Sequence, residues 1–231
     1  RVLTLAFPYD PAIPQAFQRF DLWRRLGCPT TPLLICSVRN FWQAWLASWL
    51  PHWYGAAVAR CLQQQLGSAG SPRQLVVIGN SAGGAILLSA APYLRQVWPA
   101  LRMTLILCGG VFGESQGFAE LATFHQLLGE RDHWVGMATA ILPRRQLNGA
   151  WQRASAEQRY QAHGLGPMTH FGPEGYYSDQ YIGTTSQYMV RLLKSEVDAQ
   201  VDQALATTYN VPHVQRPDPL LSAHSPSFNQ E

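Results

Sequence analysis

The stretch Gln74-Leu75-Val76-Val77-Ile78-Gly79-Asn80-Ser81-Ala82-Gly83-Gly84-Ala85-Ile86-Leu87-Leu88 decides the fold. Leu-Val-Val-Ile is rich in β-branched residues and reads as a strand. Gly79 ends it, one serine follows among small residues, and an apolar run compatible with a helix begins. A side chain at the tip of so sharp a strand-to-helix turn holds its backbone in strain. Gly79 and Gly83, each two residues from Ser81, are the positions expected to relieve crowding there. A helix starting just behind the serine brings free N–H groups and the positive end of a dipole, which suit an oxyanion. Gly79 and Gly83 also have the spacing of packed membrane helices. The central Asn80-Ser81 pair and the strand-like run before it argue against a membrane span.

Working outward, short apolar runs alternate with helical spacing. Residues 2–6 read as a strand, ending in the loop Phe7-Pro8-Tyr9-Asp10-Pro11. Residues 14–26 have helical spacing, and residues 33–36 read as a second short strand. Residues 41–54 hold Phe41, Trp42, Trp45, Trp49, Trp53 and Tyr54, with Trp42, Trp45 and Trp49 on one helical face. Two readings stand for this segment. Trp45 and Trp49 form an apolar wall over a substrate pocket or touch lipid, or the stripe is core packing.

A helix follows over 52–66. Beyond the central stretch come strands at 103–108 and 123–128, a helical or irregular segment at 134–150, and a poorer strand at 160–165. A long amphipathic helix spaces apolar residues every three to four positions over 189–205. The alternation predicts an α/β domain over residues 1–211, with a mainly parallel sheet, helices on both faces and no large cap domain. Residues 212–231 are rich in Pro, Ser and Asn and read as a disordered tail.

Composition narrows the function. In 231 residues, 13% are charged and the net charge is only +3, with no basic run, so nucleic acid is not an expected partner. The cysteines Cys28, Cys36, Cys61 and Cys108 lack the spacing of a metal or redox pair and read as buried free thiols. A metal site from His125, Asp132 and His133 matches no strong ligand motif. Neither a metal nor an organic cofactor is expected. Arg1 stands inside an apolar run, which reads as an excerpt or a processed form. No signal peptide is visible, and the cytoplasm is the favoured compartment.

A serine needs a base within reach, and the base needs an acid to orient it. In a parallel sheet such groups gather on the loops at the carboxyl ends of the strands. Asp132 lies just past the strand ending near Leu128, and His170 follows the next strand. Glu130, Glu114 and Asp179 are the alternative acids, and His163 and His133 the alternative bases. Asp132 and His170 are preferred for their loop positions and for the order Ser81, Asp132, His170. The oxyanion donors are expected to be the Ala82 N–H and one from the loop after the first strand. There Pro8 has no N–H, Tyr9 is preferred, and Phe7 and Asp10 are alternatives.

Three segments together resemble the α/β-hydrolase superfamily, especially its lipase- and esterase-like members. They are Ile78-Gly79-Asn80-Ser81-Ala82-Gly83-Gly84, Gly129-Glu130-Arg131-Asp132 and Gly166-Pro167-Met168-Thr169-His170. The resemblance implies nucleophile, acid and base roles for Ser81, Asp132 and His170. It implies a small-molecule ester substrate, with the aromatic segment pointing to an apolar acyl group. Many members carry His-Gly in the oxyanion loop, where this chain has Phe-Pro-Tyr-Asp. Thioester hydrolysis or acyl transfer would use the same triad. A hydrolase-like fold that serves as a binding or scaffold module is the alternative of a different class.

Overall fold

The computed structural model describes residues 31–66, 72–144 and 147–209. The strand expected at 2–6, the helix at 14–26, Tyr9 with its loop, Cys28 and the tail from Pro212 lie outside them. The chain divides into two compact units, residues 1–187 and 188–231. In the first unit the described elements run α1 (Thr31–Trp49), α2 (Pro51–Leu66), β1 (Gln74–Asn80), α3 (Gly83–Val97), β2 (Arg102–Cys108), α4 (Gly117–Glu120), β3 (Leu121–Leu128), α5 (His133–Thr139), α6 (Ala150–Ala156) and β4 (Tyr160–Gly164). Helix α7 (Ile182–Tyr209) begins in the first unit and supplies the described part of the second.

The four strands form one sheet in the order β1-β2-β3-β4. All three pairings are parallel, with Ile78 opposite Ile106 and Leu127 opposite His163. This is an α/β architecture. β2 and β3 are buried along almost their whole length, so both faces of the central strands are covered, as a parallel sheet requires. On one face Met103, Leu105 and Leu107 meet Ile86 and Leu88 of α3 and the rings of Phe112, Phe118 and Phe124. Those three rings lie 5.0–5.5 Å apart between centroids. Burying each contributes roughly 2–3 kcal/mol. Helix α2 buries Gly55, Val58, Ala59 and Leu62 at helical spacing, and Gly55 lets its backbone approach Ser89 of α3. Among the described residues no helix is long and apolar enough to cross a membrane.

One expected element changes type. Residues 33–36, read as a strand, lie inside α1. A run of four apolar residues does not distinguish strand from buried helix. Here it continues without a turn into the tryptophan-bearing helix, and each added residue extends a helix already nucleated. Pro32 sits in the first turn, where its missing N–H costs no intrahelical bond. The segment at 134–150 resolves into two short helices, α5 and α6, with irregular chain between them.

Candidate active site

The serine stands where the strand-turn-helix reading put it. β1 ends at Asn80, α3 begins at Gly83, and Ser81 takes a positive φ of 49°. A non-glycine residue there is strained and is held by its surroundings. Its N–H donates to the Cys108 carbonyl at 2.9 Å, and its own carbonyl accepts from Val111 N–H at 3.0 Å. The turn is thus clamped to the end of β2 and the loop beyond.

The glycines that make room are not quite the expected pair. A Cβ on Gly79 would press on Leu107 at 3.1 Å and Leu87 at 3.3 Å, whereas one on Gly83 meets nothing within 4 Å. The tight position is Gly84, where a Cβ would run into Leu107 Cδ2. The helix turns away from the sheet at Gly83 and approaches it one residue later.

The three residues singled out in the sequence come together. His170 Nε2 lies 2.9 Å from Ser81 Oγ, and His170 Nδ1 lies 2.8 Å from Asp132 Oδ2. The His170 and Asp132 side chains are 2% and 0% exposed, so the pair is screened from water. Asp132 precedes α5 and caps it, its Oδ1 accepting from Val135 N–H at 3.3 Å. One carboxylate oxygen therefore anchors the helix and the other faces the imidazole.

The loops that carry Asp132 and His170 are tied to each other. Glu130 N–H donates to Gly166 O at 2.8 Å, Arg131 N–H to Met168 O at 3.2 Å, and Thr169 N–H to Glu174 O at 2.9 Å. Arg131 and Glu174 add an exposed ion pair at 3.3 Å, of little energetic weight in water.

Tyr176 was not singled out in the sequence. Its ring is buried at 1% exposure, and its hydroxyl donates to Asp132 Oδ2 at 2.7 Å while accepting from Gly129 N–H at 2.8 Å. Burial, then Asp132 beside it, pushes the phenol well above its usual range, so it stays a donor. Burial alone would raise the Asp132 carboxyl. The hydrogen bonds from His170 and Tyr176, the His170 charge and the Val135 N–H outweigh it, and the net shift is downward. Asp132 thus holds its negative charge next to the imidazole. Gly109, at φ 52°, leaves the space behind these groups: a Cβ there would stand 2.7 Å from Tyr176, 2.9 Å from Asp132 and 3.0 Å from His170. The only advance signal for these two residues was Gly109 closing a strand and a tyrosine shortly after His170.

The alternative residues are occupied elsewhere. Glu114 accepts from Trp151 N–H at the start of α6, at 3.3 Å. Glu130, Asp179 and His133 are exposed. His163 lies within β4, its Nε2 3.0 Å from His125 Nδ1 on β3. Cys61 and Cys108 are free thiols, the first half-buried and the second buried. Burial pushes the Cys108 thiol up to about 11, against a lowering contact from Tyr177, so it is no rival nucleophile.

Two cavities meet at Ser81 and Ala82, sharing Asn40 and Phe171. Trp45 and Trp49 line neither. Trp42 stacks on Trp45 at 5.0 Å, Trp45 lies 6.3 Å from Trp49, and Trp42 and Trp49 are more than half exposed. The face of α1 toward the elbow is a neighbouring row, in which Ala44 packs with Ala82 and Ala85 and Phe41 reaches the cavity. Ala82, at the start of α3, has no backbone–backbone hydrogen bond from its N–H among the described residues. Asn40, also not foreseen, carries a buried Oδ1 without a hydrogen-bond partner among the described residues. No family model, curated protein or solved structure matches the chain.

Proposed function

We propose that this protein is a serine hydrolase of the α/β-hydrolase type that cleaves an acyl ester through a covalent acyl-enzyme. What carries the reading is one imidazole spanning a strained serine and a buried carboxylate, at 2.9 Å and 2.8 Å. Ser81 Oγ attacks the ester carbonyl as its proton passes to His170 Nε2. Asp132 holds the imidazole by its Nδ1–H and stabilises the imidazolium. The Ala82 N–H, with Tyr9 as the proposed second donor, receives the oxyanion. The tetrahedral intermediate breaks its carbon–oxygen bond to the alcohol, which takes the proton from His170. Water, deprotonated by the same nitrogen, then attacks the acyl-enzyme and releases the carboxylic acid and Ser81. The substrate is a small-molecule ester with an apolar acyl group, and no metal or organic cofactor takes part.

The test is covalent. A fluorophosphonate probe should label the folded protein at Ser81, and Ser81→Ala should lose both labelling and ester turnover, the latter by about 10⁶-fold. An unlabelled folded protein, with turnover indifferent to Ser81→Ala, would leave a non-catalytic binding module.

A further inference from the structure

One of the two cavities at Ser81 differs from the other in chemistry. It has a volume of about 180 Å³, and away from Asn40, Ser81 and His170 its lining is apolar. Phe41 and Ala44 of α1 form one wall, and Trp134 of α5 with Phe171 forms the other. The Trp134 and Phe171 rings meet edge to face at 5.9 Å, and Phe171 abuts the His170 ring at 4.3 Å. Val111 and Ala138 are buried and pack with Leu142, while Trp134 and Phe171 are partly exposed. The cavity therefore runs from an aromatic mouth to a small-residue floor, past the nucleophile.

We propose that this cavity is the acyl-chain site, and that its Ala138 and Val111 floor selects unbranched acyl groups of about six carbons. The inference rests on the hydrolase reading. At about 180 Å³ the cavity is close in size to an apolar cavity of about 150 Å³ that takes up benzene, a ligand of six carbons. Assignment to the acyl rather than the alcohol side follows from the second half-reaction. Once the alcohol leaves, water must stand where it stood. The smaller cavity, apolar apart from Asn40, Ser81 and His170, offers a water few hydrogen-bond partners. The larger cavity, about 320 Å³, is also lined by apolar side chains, among them Val58, Leu62, Ile86 and Leu87, but it adds Asn80 and the backbone of Gly79 and Gly83, and it suits an alcohol and then water.

The experiment measures kcat/KM of the full chain on two ester series, with fluorophosphonate labelling alongside. Across p-nitrophenyl acyl esters from acetyl to dodecanoyl, kcat/KM rises by up to about fourfold per methylene to about six carbons and then levels. Across alkyl acetates it stays nearly flat. Ala138→Phe lowers the hexanoyl-to-acetyl ratio at least about tenfold. Val111→Ala, which adds no bulk, moves the optimum to a longer chain. Length dependence in the alkyl acetates alone overturns the acyl assignment. Labelling of Ser81 with a flat acyl series, or an optimum unmoved by both variants, overturns the pocket while the hydrolase reading stands. No labelling and no turnover with any ester removes both.

Discussion

Two histidine sites on adjoining parts of the same sheet have nearly the same contact distance and opposite chemical prospects. His125 and His163 face each other at 3.0 Å across β3 and β4, within the strands. His170 lies beyond β4, on a loop, with a hydroxyl at one ring nitrogen and a carboxylate at the other. In the strand pair a nitrogen of each ring is committed to another imidazole, so one ring gives what the other takes. On the loop, the two nitrogens meet unlike groups, and in the proposed mechanism a proton arriving from Ser81 is matched by the Asp132 charge. Residue type and distance do not separate the sites. Position relative to the carboxyl ends of the strands does, because only there do loops from different strands converge.

The sharpest way to break this contrast is to delete each imidazole in turn. His170→Ala should lower turnover by about 10⁶-fold and abolish fluorophosphonate labelling, whereas His163→Ala should keep the labelling. The reverse outcome would move the base into the strand pair. The next largest effect belongs to the acid. Asp132→Asn leaves the geometry but favours the wrong tautomer, and a loss of about 10⁴-fold in kcat is expected. Glu114→Gln, at a carboxylate that accepts at the start of α6, should lose far less. Equal losses would overturn the choice of acid.

The smallest effect is the most specific to this chain. Tyr176→Phe removes one of the donors that hold the Asp132 carboxyl below its usual range. Because that carboxyl is lowered in the folded state, its stabilising contribution is present above the unfolded value of about 3.9 and fades as pH falls toward the folded one. Without the tyrosine hydroxyl the carboxyl takes up a proton more readily. The midpoint of the acid-unfolding profile should therefore move to higher pH, with a fall of several-fold in kcat near neutrality. A Tyr176→Phe profile that overlays the wild-type profile would reduce the tyrosine to packing.

Legibility in the sequence followed the range of the interactions. The turn around Ser81 was readable because strand, glycine, small residues and helix follow one another within fifteen positions. Asp132 was readable from its place just past the strand ending near Leu128, where a parallel sheet gathers its functional loops. The 33–36 segment misled because four apolar residues satisfy either period, and the answer lay in the helix downstream. Trp45 and Trp49 were ambiguous for a different reason. Their shared helical face is real, but helical periodicity does not say which face a partner covers, and Ala44 meets the elbow instead. Gly83 stood in the pattern while Gly84 carried the close contact, because the approach of helix to sheet depends on where the helix axis passes Leu107.

The sequence by itself determined the α/β alternation, the strand-turn-helix around Ser81 and the placement of Asp132 and His170 on loops past successive strands. These rest on local propensity, side-chain period and chain order, all contained in short windows. Only the tertiary structure decided that His170 spans Ser81 and Asp132, that Tyr176 braces the carboxylate through a hydroxyl shared with Gly129, and that Phe41, Trp134 and Phe171 line the cavity beside the serine. Each of these joins residues from different loops and helices. Their meeting depends on how the sheet and its helices pack, which no single stretch of the chain encodes.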